Sequence, residues 1–269
     1  MKTILFAGCS DSTPVEAGSN HKPKSMIEVG GRPILTRVMD IFAHFGHTDF
    51  IVSTGGESVL MKQFFTNFHL MANDVVVSID TGEVELRPAI GAGWKVGVID
   101  TGTATASSGN LRRVRDWIGD ESFMVAYSDS LGNIDIDALL EFHTNHGKLA
   151  TVTAVRPIAR SGGLELFDNR VTAFTETVRR DETWINGGFF VFEPAVFDYL
   201  VDDQVPLERA PLAQLAMDGE LMAYRHYDFW HPMDTMRDQR LLSKYCAEEP
   251  PPWLRFGRRS DASDIRAAE

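Results

Sequence analysis

Short β-rich apolar runs alternate along this chain with longer segments of helical spacing, and this alternation restricts the fold more than any other feature. Lys2 to Phe6 is the first such run. It breaks at Ala7-Gly8 into a loop rich in Gly, Ser, Asp and Pro, and a helix begins near Arg32-Pro33. On that helix Ile34, Leu35, Val38, Met39, Phe42 and Phe45 share a face, with Pro33 at the first position and Gly46 at the close. Asp49 to Thr54 then reads as a buried strand, Glu57 to Leu70 as helix and Asp74 to Asp80 as strand. The expectation is one α/β domain with a mixed, mainly parallel sheet flanked by helices. Ligands of such sheets sit beyond the carboxyl ends of the strands, so the loop after Phe6 is the first place to look.

The later chain keeps the pattern. Short strands and glycine-rich turns fill Val84 to Asp100, and a helix carries Leu111, Val114, Trp117 and Ile118. Ser122 to Ala126 is a strand ending at Tyr127-Ser128-Asp129-Ser130. A carboxylate at the carboxyl end of a central strand is placed to hold Mg²⁺ against phosphates, and a capping Asp in a turn is the structural alternative for Asp129. His143 and His146 lie three apart on a helix from Asp135 to His146 with no third ligand in view, so they are expected to be solvated. A hairpin is expected within Gly162 to Glu176. The strand from Trp184 to Phe192 is interrupted at Asn186-Gly187-Gly188, where paired glycines signal close approach to a ligand or a bulge. Leu221 to Tyr227 is the last strand. Asp234 opens the last helix, where an N-cap role competes with metal binding. The fold is expected to occupy residues 1–247, with a proline-rich turn and flexible charged tail over 248–269.

Composition narrows the partners. A net charge of −12 over 269 residues argues against nucleic acid, since phosphate contacts need a basic surface, and an anionic ligand would need local Lys, Arg or a divalent metal. No apolar run is long enough to cross a bilayer and no signal-peptide pattern opens the chain, so a soluble, cytoplasmic protein without membrane contact is expected. The two cysteines, Cys9 and Cys246, form neither a disulfide framework nor a zinc motif. Cys9 is read as a small residue filling a glycine position, with a reactive thiol as the alternative.

Lys22-Pro23-Lys24-Ser25-Met26 followed by Glu28-Val29-Gly30-Gly31-Arg32-Pro33-Ile34-Leu35 resembles the K-P-K-P-M-x-E-x-G-G-K-P-I-L block of the sugar-1-phosphate nucleotidyltransferases, in particular the glucose-1-phosphate cytidylyltransferases. The likeness continues at Trp184 to Val191 and at Phe229 to Asp238, and it spans the chain to about Trp253. It implies a Rossmann-like domain of GT-A type, transfer of a nucleotidyl group (CTP favoured) to glucose 1-phosphate or a related sugar phosphate, and pyrophosphate as leaving group. It also implies Mg²⁺ on Asp129 and Asp234, a catalytic cation at Lys24 and nucleotide contacts at Gly8, Ser10, Lys24 and Gly109. Sugar contacts would fall at Glu176, Asn186 and Gly187. Self-association as a homo-oligomer belongs to the same resemblance.

The departures from the family pattern fall at phosphate contacts. The family opens with G-G-x-G-T-R, where this chain has Gly8-Cys9-Ser10-Asp11-Ser12-Thr13, with Thr13 in place of the arginine. Asp11 adds a negative charge, and two like charges about 4 Å apart repel by roughly 4 kcal/mol at an effective dielectric of 20. The family's T-G-G-R-L keeps Gly109 but has Asn110 for its arginine, and its E-K-P becomes Glu176-Thr177-Val178, without the lysine. Lys22, Arg179 and Arg180 are the candidates to replace the lost cations. Two further readings stay open on these grounds. One is a repurposed metal-dependent enzyme acting on a sugar phosphate or nucleotide sugar. The other is a catalytically silent protein that binds a nucleotide sugar or scaffolds an active relative.

Overall fold

The computed structural model describes residues 1–8, 23–87, 93–157, 163–167, 170–175 and 183–256. Seven strands make the central sheet: β1 (Thr3–Phe6), β2 (Asp49–Ser53), β3 (Lys95–Ile99), β4 (Phe123–Tyr127), β5 (Ala150–Val155), β6 (Ile185–Phe192) and β7 (Leu221–His226), in the spatial order β7-β5-β6-β4-β1-β2-β3. β1 pairs in parallel with β2 and β4, β2 with β3, and β5 with β7. β6 runs antiparallel to both of its neighbours. The mixed, mainly parallel sheet expected from the alternation is therefore present. The six α-helices of seven or more residues among the described residues are α1 (Ile34–His44), α2 (Ser58–Thr66), α3 (Ser107–Arg113), α4 (Ile136–His146), α5 (Ala210–Met217) and α6 (Met236–Tyr245).

β1 is buried along its whole length because parallel strands flank it and both faces are covered. Its alternation divides the core. Leu5 packs with Val38, Met39 and Phe42 of α1, with Leu139 and with Leu242. Ile4 and Phe6 pack on the other face with Leu111, Val114 and Leu215. Each such side chain contributes about 1.5–3 kcal/mol through removal from water.

Several expectations change in detail. Pro33 belongs to a two-residue strand, Arg32–Pro33, and precedes α1 instead of occupying its first position. The helix expected over 57–70 divides into α2 and a short helix at Phe68–Ala72, with Asn67 Nδ2 donating to the Gln63 carbonyl at 2.7 Å between them. His143 is not solvated. It is buried under α4, with Nδ1 2.7 Å from Thr151 Oγ1 and Nε2 3.1 Å from Glu193 Oε1, because β5 presents Thr151 to the underside of the helix. His146 Nε2 meets the same hydroxyl at 2.7 Å.

Packing also runs past the boundary expected at residue 247. Trp253 is fully buried in the larger core cluster, and the Phe256 ring lies 4.3 Å from His44 and 4.7 Å from Phe45. The proline run carries the chain back across the molecule, so it does not end the fold. Of the charged tail expected from Arg255 onward, residues 257–269 lie outside the described residues.

Candidate active site

From β1 the chain goes to β2 on one side, while β4 lies on the other, and the carboxyl ends of β1 and β4 open a cleft where the strand order switches. Side chains tie its walls together. Ser128 Oγ donates to the Phe6 carbonyl at 2.5 Å and Ser25 Oγ to the Ala7 carbonyl at 3.0 Å. These bonds set the turn after β4 and the helical turn Lys24–Met26 on either side of the end of β1.

Lys24 starts that turn, and its ammonium lies 2.7 Å from Asp129 Oδ2 and 2.9 Å from Asp234 Oδ1. Asp234 arrives through the short strand Trp230–Pro232, which pairs with Ser130–Gly132 just after Asp129. Met233 N–H donates to the Asp129 carbonyl at 2.7 Å and closes the pair of loops. The competition at Asp234 between capping and the site is resolved by its neighbour. Thr235 is the N-cap of α6, in a reciprocal box with Asp238, so the Asp234 carboxylate points to Lys24 instead of the helix.

Burial is the largest influence on Lys24 and works against its charge, but Asp129 and Asp234 together outweigh it and hold the ammonium above its ordinary pKa. Asp129 and Asp234 thus bring two carboxylates together beside one ammonium at the strand ends. The pair fits Mg²⁺, which takes one or two carboxylates and completes its shell with water and phosphate oxygens. Among the described residues no group of three or more His, Cys, Asp or Glu gathers to hold a metal, at this cluster or elsewhere.

A cavity of about 230 Å³ opens beside this cluster, lined by Gly8, Lys24, Ser107, Tyr127, Asp129 and Glu208 among others. A larger one, about 890 Å³, lies between α1, α2 and Trp94. Its lining is mainly apolar, with Glu28, Gln63, Asn67 and the Arg32–Asp40 pair at 3.1 Å among its polar groups. We place the site in the smaller cavity because only there do carboxylates and a cation converge at the switch point.

The remaining candidates fall in different places. Gly8 reaches the cavity, but its lack of a side chain also serves packing, since a Cβ there would lie 2.0 Å from the Thr54 carbonyl oxygen. Gly109 lies under the backbone of Asp203, 2.6 Å from where its Cβ would be. Asn110, standing where the family has arginine, is buried and accepts hydrogen bonds from Thr101 Oγ1 at 2.6 Å and Thr105 Oγ1 at 2.9 Å, which pins the Thr101-Gly102 turn. Asn186 and Gly187 open the antiparallel β6 and so lie at the carboxyl edge beside β4, two residues before Phe189 pairs with Ala126. Asn186 Oδ1 accepts from Gly188 N at 2.8 Å, Gly187 O accepts from Trp230 Nε1 at 2.8 Å, and the pairing shifts between Val152 opposite Phe190 and Ala154 opposite Asn186, which puts the bulge in β6. Ser10, Lys22, Glu176, Arg179 and Arg180 lie outside the described residues, as do Cys9, Asp11 and Thr13.

Sequence reasoning missed Glu208, which accepts from Ser107 Oγ at 3.2 Å in the cavity wall. It lies between Pro206 and Pro211 in a stretch with no motif, and only the tertiary fold brings it to the site. Arg156 and Arg225, at the carboxyl ends of β5 and β7, were missed for the same reason.

Taken together, the fold and the cleft define an α/β protein with an open, mainly parallel sheet and a candidate ligand site at its carboxyl edge, where Lys24, Asp129 and Asp234 converge. The comparisons make this specific: the nucleotidyl transferase family model matches residues 19–228, and the chain belongs to that family. It is 37% identical over 254 residues to the glucose-1-phosphate cytidylyltransferase of Salmonella typhimurium, covering 94% of this chain and 98% of the relative. The probable glucose-1-phosphate cytidylyltransferase of Bacillus subtilis is 35% identical over 256 residues, 94% of this chain and 99% of that protein. Among solved structures, HddC from Yersinia pseudotuberculosis superposes with a TM-score of 0.65 at 16% identity, covering 90% of this chain and 98% of that one. At that identity the likeness concerns the fold alone.

Proposed function

We propose that this nucleotidyltransferase transfers a cytidylyl group from CTP to glucose 1-phosphate or a closely related sugar phosphate, giving a CDP-sugar and pyrophosphate. The observation that carries the reading is the convergence of Lys24, Asp129 and Asp234 in a chain that matches a cytidylyltransferase over 94% of its length. In this reaction a phosphate oxygen of the sugar phosphate attacks the α-phosphorus in line and pyrophosphate departs. It needs alignment and positive charge more than a protein acid or base. Asp129 and Asp234 are the residues to hold Mg²⁺, which when bound neutralises phosphate charge and fixes the attacking geometry. Lys24, kept charged by the same carboxylates, is positioned to turn toward a phosphate once its partners engage a metal. Asn186 and Gly187 orient the sugar at the neighbouring strand edge.

A cytoplasmic setting and a homo-oligomer complete the reading. In support of self-association, the hairpin Asp74–Val77 with Val84–Arg87 exposes Val75, Val76, Val77, Ile79 and Val84 together, more apolar surface than an isolated hairpin leaves bare without reason. No helix among the described residues is long and apolar enough to cross a membrane.

The test is pyrophosphate release from CTP, Mg²⁺ and glucose 1-phosphate. Asp129→Asn and Lys24→Met should each lower kcat by about two to three decades, the usual loss when one group acting on transition-state charge is removed. Binding of CDP-glucose without turnover of CTP would replace this reading by a sensor or a repurposed enzyme. Turnover that survives Asp129→Asn would remove the metal assignment.

A further inference from the structure

Arg156, Trp184, Arg225 and Tyr227 meet at the carboxyl edge of the sheet, and strand register explains why. Ala154 on β5 lies opposite Asn186 on β6 and opposite Arg225 on β7. Side chains alternate along a strand, so Arg156 and Trp184, each one residue beyond its strand, fall on the same face as Asn186 and Arg225, and so does Tyr227. The Arg156 guanidinium carbon sits 4.5 Å from the centroid of the Trp184 ring and that of Arg225 sits 5.6 Å from it. The Tyr227 ring meets Trp184 edge-on at 5.2 Å.

Two like charges on one indole repel each other, and the ring's negative faces offset part of that repulsion. Stacking uses the faces of the guanidinium groups and leaves their N–H donors available in the ring plane. Among the described residues no carboxylate pairs with either arginine. In a chain of net charge −12, two exposed guanidiniums gathered on one indole, with no carboxylate partner among the described residues, concentrate positive charge beside Asn186.

We propose that Arg156 and Arg225, held on Trp184, form the subsite that takes the phosphoryl group of the glycosyl phosphate. The inference rests on the reading that this chain uses a sugar phosphate. It assigns to β5 and β7 the cationic role left open by Thr177, and it makes Trp184 and Tyr227 positioning residues.

Titration calorimetry with glucose 1-phosphate and with inorganic phosphate, on the intact protein and on Arg156→Gln and Arg225→Gln, tests it. Each substitution should raise the Kd of glucose 1-phosphate about tenfold or more, as loss of a charged hydrogen-bond partner does. The KM for CTP should stay unchanged, and the Lys variants should recover part of the affinity. Inorganic phosphate should compete with glucose 1-phosphate. Phosphate bound through the arginines without competing would show an anion site unrelated to the sugar phosphate and overturn the proposal. Equal affinity for glucose 1-phosphate in all variants would overturn it too, whatever the turnover. Arginine-dependent binding in a protein that releases no pyrophosphate would keep the subsite and sink the proposed activity. No binding of glucose 1-phosphate to the unmodified protein would sink both.

Discussion

Two half-buried ionic groups in this chain resolve the same penalty in opposite ways. Lys24 stays strongly cationic because two carboxylates at 2.7 and 2.9 Å outweigh the cost of burial. Asp40 does not recover its cost from Arg32 and the weaker pull of Arg37, and burial pushes its carboxyl above the usual carboxylate range. The consequence for stability has a definite sign. A carboxyl whose folded pKa is raised binds its proton more tightly folded than unfolded, so its contribution is fully present below the unfolded value of about 3.9. It is lost as pH rises through the folded value. Asp40→Asn never ionises and escapes that loss. The variant should therefore unfold at the same or a higher temperature than the parent at pH 7, with the difference shrinking as pH falls toward 4. Thermal unfolding at a series of pH values checks this, and a variant less stable at pH 7 by a constant amount at every pH would show that the Arg32 pair matters more than burial. Residue-scale chemistry of this kind was only partly legible in the sequence. Lys24, Asp129 and Asp234 carry motif positions, but nothing local distinguishes Asp40 from a solvated helix aspartate.

Elements were legible wherever their periodicity was strong and their ends carried recognisable chemistry. The Val125 and Phe190 strands read directly from their apolar runs, and α4 from its spacing and the Asp135 cap, whose side chain accepts from Ala138 N at 2.9 Å. The start of α6 was legible too, since Thr235 and Asp238 have the spacing of a capping box, yet Asp234 one residue earlier competes for the same role on sequence grounds. The paired glycines of β6 show what sequence leaves open. They signal either a ligand or a bulge, and the structure gives them packing duties: a Cβ on Gly187 would lie 2.7 Å from Val155 Cγ1 and 2.9 Å from the Thr153 carbonyl oxygen. A side chain can rotate away, but that carbonyl belongs to the central sheet and cannot. Gly187→Ala should thus cost about 1–3 kcal/mol, the range for overpacking, read as a fall in denaturant midpoint. It should also weaken sugar-phosphate binding by moving Asn186. Loss of binding with full stability would indicate that the glycine serves the ligand and not the sheet.

At the scale of the whole molecule, strand order assembles the site, and strand order is the least legible quantity of all. Lys24 and Asp234 are 210 positions apart, and they meet because β4 sits beside β1 and the short strand Trp230–Pro232 pairs next to Asp129. The same long-range closure decides where the fold ends. Glu248 to Pro252 has the composition of a terminating turn, so the fold reads as ending before it. Instead the prolines redirect it, and Trp253 enters the core cluster that contains Leu5, Phe42 and Leu242, with the Phe229 ring 6.3 Å away. Phe229 in turn leads into the strand that delivers Asp234. Removing Trp253 should therefore loosen both the core and the site. Trp253→Ala should lose about 3–5 kcal/mol, as for other buried aromatics. A chain ending at Ala247 should lose at least as much, whereas one ending at Phe256 should keep the unfolding midpoint of the full chain. Equal midpoints for the chains ending at 247 and 256 would place the boundary of the cooperative unit before the proline run and make the burial of Trp253 energetically idle.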